Sequence, residues 1–160
     1  MKLKIEELYS SENGNFVVGS SNTEEAFIWD INNRELINRF NINYDCGGNR
    51  LAIDNEGKYI ASAKYSKGGV TLYSVKSGEE IWNLKEISII KSIRFIGNKD
   101  ILAITSNDGV IYWVNVNGGD IFGSMNNCKK VLDNKEDSML SIGNSNEVIY
   151  NDKQLNNKEN

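Results

Sequence analysis

Three stretches decide the fold: Phe27-Ile28-Trp29-Asp30, Thr71-Leu72-Tyr73-Ser74 and Tyr112-Trp113-Val114-Asn115. Aligned on Trp29, Tyr73 and Val114, they recur after 44 and then 41 residues. The residues around them recur with them. Upstream of each lies an apolar run, Phe16-Val17-Val18-Gly19, Tyr59-Ile60-Ala61-Ser62 and Ile101-Leu102-Ala103-Ile104. Further upstream is a shorter alternation, Leu8-Tyr9, then Leu51 with Ile53, then Ile93 with Phe95. Downstream, apolar residues stand at +8 and +11: Ile37 and Phe40, Ile81 and Leu84, Phe122 and Met125.

Polar turns separate these runs, as in Ser11-Glu12-Asn13-Gly14, Asp54-Asn55-Glu56-Gly57 and Gly97-Asn98-Lys99-Asp100. Gly and Asn accept positive φ, and Asp and Asn side chains bond their own backbone, so these are hairpin turns. Period-2 alternation broken by Gly or Asn every eight to twelve residues specifies short strands and leaves no room for a helix. A repeat of about 40–45 residues made of short strands is one blade of a β-propeller. The expected fold is therefore all-β: antiparallel blades at about residues 4–40, 50–84, 91–125 and a weaker 130–153, in one domain over 1–153, with a polar tail at 154–160. Small residues on the second strand (Gly19, Ala61, Ser62, Ala63, Ala103) are expected where blades press together near a central axis. Four repeats sit at the lower limit for a closed ring, so the expectation is a four-bladed or incomplete propeller, with homo-oligomerisation through open blade edges as a consequence.

These residues resemble a WD-repeat blade. Gly19-Ser20-Ser21 and Ile28-Trp29-Asp30 carry the likeness in the first repeat, Asp54-Asn55-Glu56-Gly57-Lys58-Tyr59-Ile60-Ala61 in the second, and Asn107-Asp108-Gly109 in the third. The family's Gly-His dipeptide is missing, because the chain has no His. The chain is also similar to quinoprotein-like repeats, in which a turn Gly is followed four residues later by a Trp that docks on the next blade; Gly78 and Trp82 fit, whereas Asn38 and Gly123 hold the Trp position in the neighbouring repeats. Both resemblances imply a propeller. The first implies a non-catalytic scaffold for protein–protein interaction, the second a small-molecule-binding propeller or the remnant of such an enzyme.

Composition narrows the function. A net charge of −4 and 14 Lys against 4 Arg give no general attraction to nucleic acid, and no segment approaches the apolar length of a membrane helix. With Met1-Lys2-Leu3-Lys4 lacking an apolar stretch behind it, the expected location is cytoplasmic. Cys46 and Cys128 are read as reduced thiols, and the 24 Asn as a bias of the source rather than a mechanism. Without His there is no Ser-His-Asp triad, no Cys-His dyad and no His-ligated metal. The acidic residues lie in turns, where they solvate hairpin tips. No enzyme, cofactor or metal is expected, and Trp29, Trp82 and Trp113 are assigned to packing between blades. The loops at about 21–25, 41–49, 64–69 and 85–90 form one face of the disk, and a protein partner is expected there. Tyr44, Tyr65, Ile87 and Ile89 are the candidate contact residues.

Overall fold

The computed structural model describes residues 4–42, 49–64, 68–126, 128–133, 139–143 and 148–150. They form fifteen strands in four antiparallel sheets, and among the described residues there is no helix. The first sheet comprises β1 (Ile5–Ser10), β2 (Phe16–Ser21), β3 (Glu25–Asp30) and β4 (Glu35–Asn41), in sequence order. The second comprises β5 (Asn49–Ile53), β6 (Tyr59–Lys64), β7 (Val70–Ser74) and β8 (Glu80–Leu84). The third comprises β9 (Ile90–Phe95), β10 (Ile101–Ser106), β11 (Ile111–Asn115) and β12 (Ile121–Met125). β13 (Cys128–Asp133), β14 (Met139–Gly143) and β15 (Val148–Tyr150) make the fourth.

Register makes the repeat exact at the level of pairing. Val17 pairs with Trp29, Ile60 with Tyr73 and Leu102 with Val114, so the three column residues occupy one position of the blade. Each of the three four-stranded blades also carries a β-bulge between its third and fourth strands, between Ile28/Trp29, Leu72/Tyr73 and Trp113/Val114. The bulge leaves the +8 residues, Ile37, Ile81 and Phe122, exposed on the outer strand. A bulge twists an edge strand and spoils it as a template for further pairing. Without Pro in the chain, this is the device that blunts the rim.

The blades stack in order through matched faces. First strands touch from blade to blade, β1 on β5, β5 on β9 and β9 on β13, which places them innermost; the fourth strands are outermost. Val18, Ile28, Ile42, Leu51, Ile60 and Tyr73 fill the space between blades one and two. Leu72, Ile87, Ile90, Phe95, Leu102 and Val114 fill that between two and three. Burying such side chains contributes about 1.5–3 kcal/mol each, so the interblade layers hold the array together. The small residues lie on β2, β6 and β10, with Ala61 and Ala63 buried between blades two and three and Ala103 buried on the far side of blade three. They stand between blades. The innermost strands themselves carry Glu7, Tyr9, Arg50, Lys91 and Arg94.

Two polar devices tie blade to blade. On the outer strands, the Trp82 indole N–H donates to the Val116 carbonyl at 2.7 Å, and the Asn38 amide donates to the Val75 carbonyl at 2.7 Å. These are equivalent donors meeting equivalent acceptors, because Asn38 pairs with Ile28 as Trp82 pairs with Leu72. At the hairpin tips, Asn13 donates twice to Asn55, from its backbone N–H to the side-chain oxygen (3.0 Å) and from its side-chain amide to the backbone carbonyl (2.9 Å), and the Asn55 amide donates to the Gly97 carbonyl at 3.1 Å. An asparagine ladder thus crosses all three blades. Some of the asparagines attributed to compositional bias have structural work.

Candidate interaction surface

The β2–β3 and β10–β11 loops and the crossing from β8 to β9 emerge at one end of the stack; the asparagine-linked hairpin tips emerge at the other. Of the four candidate contact residues, Tyr44 and Tyr65 lie outside the described residues. Ile89 stands 39% exposed in the crossing from β8 to β9. Ile87 is 1% exposed, and its expected place at the surface is corrected here. It anchors the crossing: its side chain joins the core between blades two and three, and its carbonyl accepts the Gly69 N–H at 3.0 Å. Ile90, where the crossing ends, is fully buried at the start of β9. Two residues apart, Ile87 and Ile89 would share a face in a regular strand; the irregular crossing separates them. Alternation could not be used there, which is why the sequence misassigned Ile87.

The tryptophans divide. Trp82 docks on the third blade, as the quinoprotein-like spacing implies, and lies against Gly119, whose φ is +73° and where a Cβ would come within 2.9 Å of the ring. Trp113 is buried on the side of blade three that faces the fourth sheet. Trp29 differs from expectation. It stacks on Phe27, ring centroids 5.9 Å apart, on the face of the first blade turned away from the second.

Ionisable groups are engaged in architecture. The Asp54 carboxylate accepts the backbone N–H groups of Lys58 and Tyr59, each at 2.8 Å, closing the β5–β6 turn. Burial raises its pKa above the ordinary value, and those backbone hydrogen bonds oppose the rise. The Tyr9 hydroxyl donates to Glu7 at 3.1 Å, and its pKa is raised by burial first and by the Glu7 charge second. Arg50 donates to the Lys91 carbonyl at 3.2 Å across the inner edge of blades two and three. An open cleft of about 250 Å³ lies beside the second and third hairpin tips, with Asp54, Lys58, Lys99, Asp100 and Asn117 in its wall. Asn117 donates to Asp100 at 3.1 Å there. Among the described residues, no three His, Cys, Asp or Glu side chains gather closely enough to share a metal ion.

This geometry matches that of WD40 repeat domains. The chain superposes on U3-55K with a TM-score of 0.67 at 14% identity, covering 94% of this chain and 52% of that one. It superposes on the C-terminal WD40 domain of Sif2 with 0.69 at 16% identity (94% and 43%), and on the RRP9 WD40 repeats with 0.64 at 12% identity (92% and 53%). The fold is that of WD40 propeller blades, and the chain spans about half the length of these structures. Among curated proteins, the chain is 32% identical over 97 residues to the human U3 small nucleolar RNA-associated protein 18 homolog, a match covering 56% of this chain and 17% of that protein. No protein-family pattern matches the sequence.

Proposed function

We propose that the chain is a non-catalytic scaffold of WD-type blades whose loop face binds a protein partner within an RNA-associated assembly. The observation that carries this is the 97-residue match to a protein named for its association with U3 small nucleolar RNA, falling on a chain with a WD40 fold. The net charge of −4 supports protein contacts rather than phosphate contacts, which would require a basic surface. The same relative draws the proposed site of action from the cytoplasm toward the nucleus. Exposed Ile89 is a proposed contact residue of the loop face, and Tyr44 and Tyr65 remain the proposed aromatic contacts. The Trp82 indole is committed to interblade docking, so it supports the scaffold and lends nothing to a bound cofactor.

Affinity purification of the tagged chain before and after ribonuclease treatment tests the proposal. Protein partners retained after ribonuclease, and lost with Ile89→Asp or with Tyr44→Ala and Tyr65→Ala together, are expected. Partners that vanish with the RNA, or that ignore these substitutions, would overturn the assignment.

A further inference from the structure

The chain contains two Asn-Gly pairs, Asn13-Gly14 and Asn117-Gly118, and the fold treats them oppositely. In such a pair the backbone nitrogen of the glycine can attack the side-chain amide carbon of the asparagine, because no Cβ stands in the way. The attack requires that nitrogen to be free of a hydrogen bond and the amide to be able to turn toward it. At Asn13 neither condition holds. The Gly14 N–H donates to the Ser11 carbonyl at 3.0 Å. The Asn13 side chain is held at both ends: its oxygen accepts from the Ser11 hydroxyl at 2.8 Å and from the Asn15 N–H at 3.0 Å, and its nitrogen donates to the Asn55 carbonyl at 2.9 Å. The asparagine ladder locks it.

Asn117 lies in the turn between β11 and β12. Gly119 closes this turn as Gly78 closes that of blade two, each donating its N–H to the residue four back, Asn115 or Ser74, at 2.8 Å, so Gly118 is the equivalent of Ser77. The Ser77 N–H donates to the Ser74 hydroxyl at 3.3 Å, whereas the Gly118 N–H meets no acceptor among the described residues. Asp108-Gly109, the acidic counterpart of such a pair, is tied as Gly14 is, with the Gly109 N–H on the Ser106 carbonyl at 3.2 Å. Asn117 and Gly118 are both exposed, beside the open cleft at the hairpin tips. The Asn117 side chain is held at one end alone, by its nitrogen donating to the Asp100 carboxylate at 3.1 Å; its oxygen has no donor among the described residues.

We propose that Asn117 is a modification site at which the folded chain converts itself to aspartate and isoaspartate while Asn13 stays intact. The Gly118 nitrogen, its proton taken by hydroxide, bonds to Asn117 Cγ. The Cγ–Nδ2 bond breaks, and ammonia leaves with a proton from water. Water then opens the resulting succinimide ring at either carbonyl. One water is consumed and one ammonia released, and no oxidant or enzyme takes part. Aspartate at this place sets a second carboxylate against Asp100 where an amide had donated, and the like charges repel. Isoaspartate adds a methylene to the main chain of the turn that supplies the Val116 carbonyl to the Trp82 indole and lays Gly119 under its ring. Either product loosens the junction between blades two and three.

Peptide mapping by mass spectrometry, on the full chain aged at mildly alkaline pH, reads the conversion at both asparagines. In urea, where the fold protects neither, Asn13 and Asn117 should lose their amides at comparable rates. In the folded chain Asn117 should convert several-fold faster than Asn13. Gly118→Ala should slow Asn117 several-fold; the residue is exposed, and the one side chain in the way of the new Cβ is that of exposed Asp120. Asn117→Gln, whose longer side chain disfavours the ring, is the second variant. Hydrogen exchange reads the consequence: amides of β8 should lose protection in the aged parent and keep it in both aged variants. Equal conversion of the two asparagines in the folded chain overturns the proposal. So does survival of Asn117 over a time in which the denatured chain converts, or conversion that leaves β8 as protected as before.

Discussion

Replacing Trp82 should expose how much of the array rests on one interblade contact. The side chain is half-buried, its N–H donates to Val116 across the junction, and its ring covers Gly119. Truncating a fully buried Trp costs about 3–5 kcal/mol. Half-burial brings the packing loss in Trp82→Ala to about 2 kcal/mol, and the lost hydrogen bond adds about 1 kcal/mol. A total near 3 kcal/mol lowers the melting temperature by roughly 6–12 °C for a chain of this size. Trp82→Asn separates the two parts, because Asn38 shows that an amide at this position reaches the equivalent carbonyl. It should recover about 1 kcal/mol relative to alanine. Urea titrations followed by far-ultraviolet dichroism and by tryptophan emission measure both; in a linear repeat the two probes separate if the third blade loosens before the rest. If Trp82→Ala were within about 0.5 kcal/mol of the parent, the indole would be surface decoration and the junction would rest on the aliphatic layer alone.

Arg34→Gly removes a side chain from left-handed backbone at an exposed turn, so it should stabilise the chain by about 0.5–1 kcal/mol in a thermal melt, and an unchanged or lower melting temperature would contradict this. Asp54→Ala forfeits the hydrogen bonds that close its turn and should cost about 1–3 kcal/mol. Asp54→Asn keeps an oxygen for the Lys58 and Tyr59 N–H groups while removing the buried charge. Because burial raises the Asp54 pKa in the fold, the contribution of this group to stability is full below its ordinary pKa of 3.8 and declines as pH rises through the raised value. The Asn variant should therefore gain on the parent between pH 4 and pH 7 in urea titrations, and a gap moving the opposite way would mean that the hydrogen bonds outweigh burial.

The repeat was legible because its carriers are fixed by sheet physics. Trp29, Tyr73 and Val114 differ in chemistry, yet all hold one register position of the third strand, where Tyr73 and Val114 are buried against the preceding blade, and the alternation around them needs no knowledge of partners. The +8 and +11 offsets were visible too, but their fates were not. Phe40, Leu84 and Met125 turn toward the next blade, while Ile37, Ile81 and Phe122 are thrown outward by a bulge, which adds a residue without leaving a mark in the pattern. The asparagine ladder was hidden for another reason. Asn13, Asn55 and Asn98 look like ordinary turn residues, and their second role exists only once stacking brings the tips together. The contact surface was least legible, because a loop such as the one holding Ile87 and Ile89 obeys no period.

The departures from the repeat say more about function than its regularities. Gly at 78 and 119 and Arg at 34 occupy one position of the blade, and the difference tracks whether a four-stranded neighbour lies against it. On the leading face of the first blade, the side each blade turns toward its predecessor, Leu8, Val17 and Ile31 are apolar, while the corner residue is Arg34. Leu8 and Ile31 stand 63% and 47% exposed on this face, where their equivalents in the next two blades are covered.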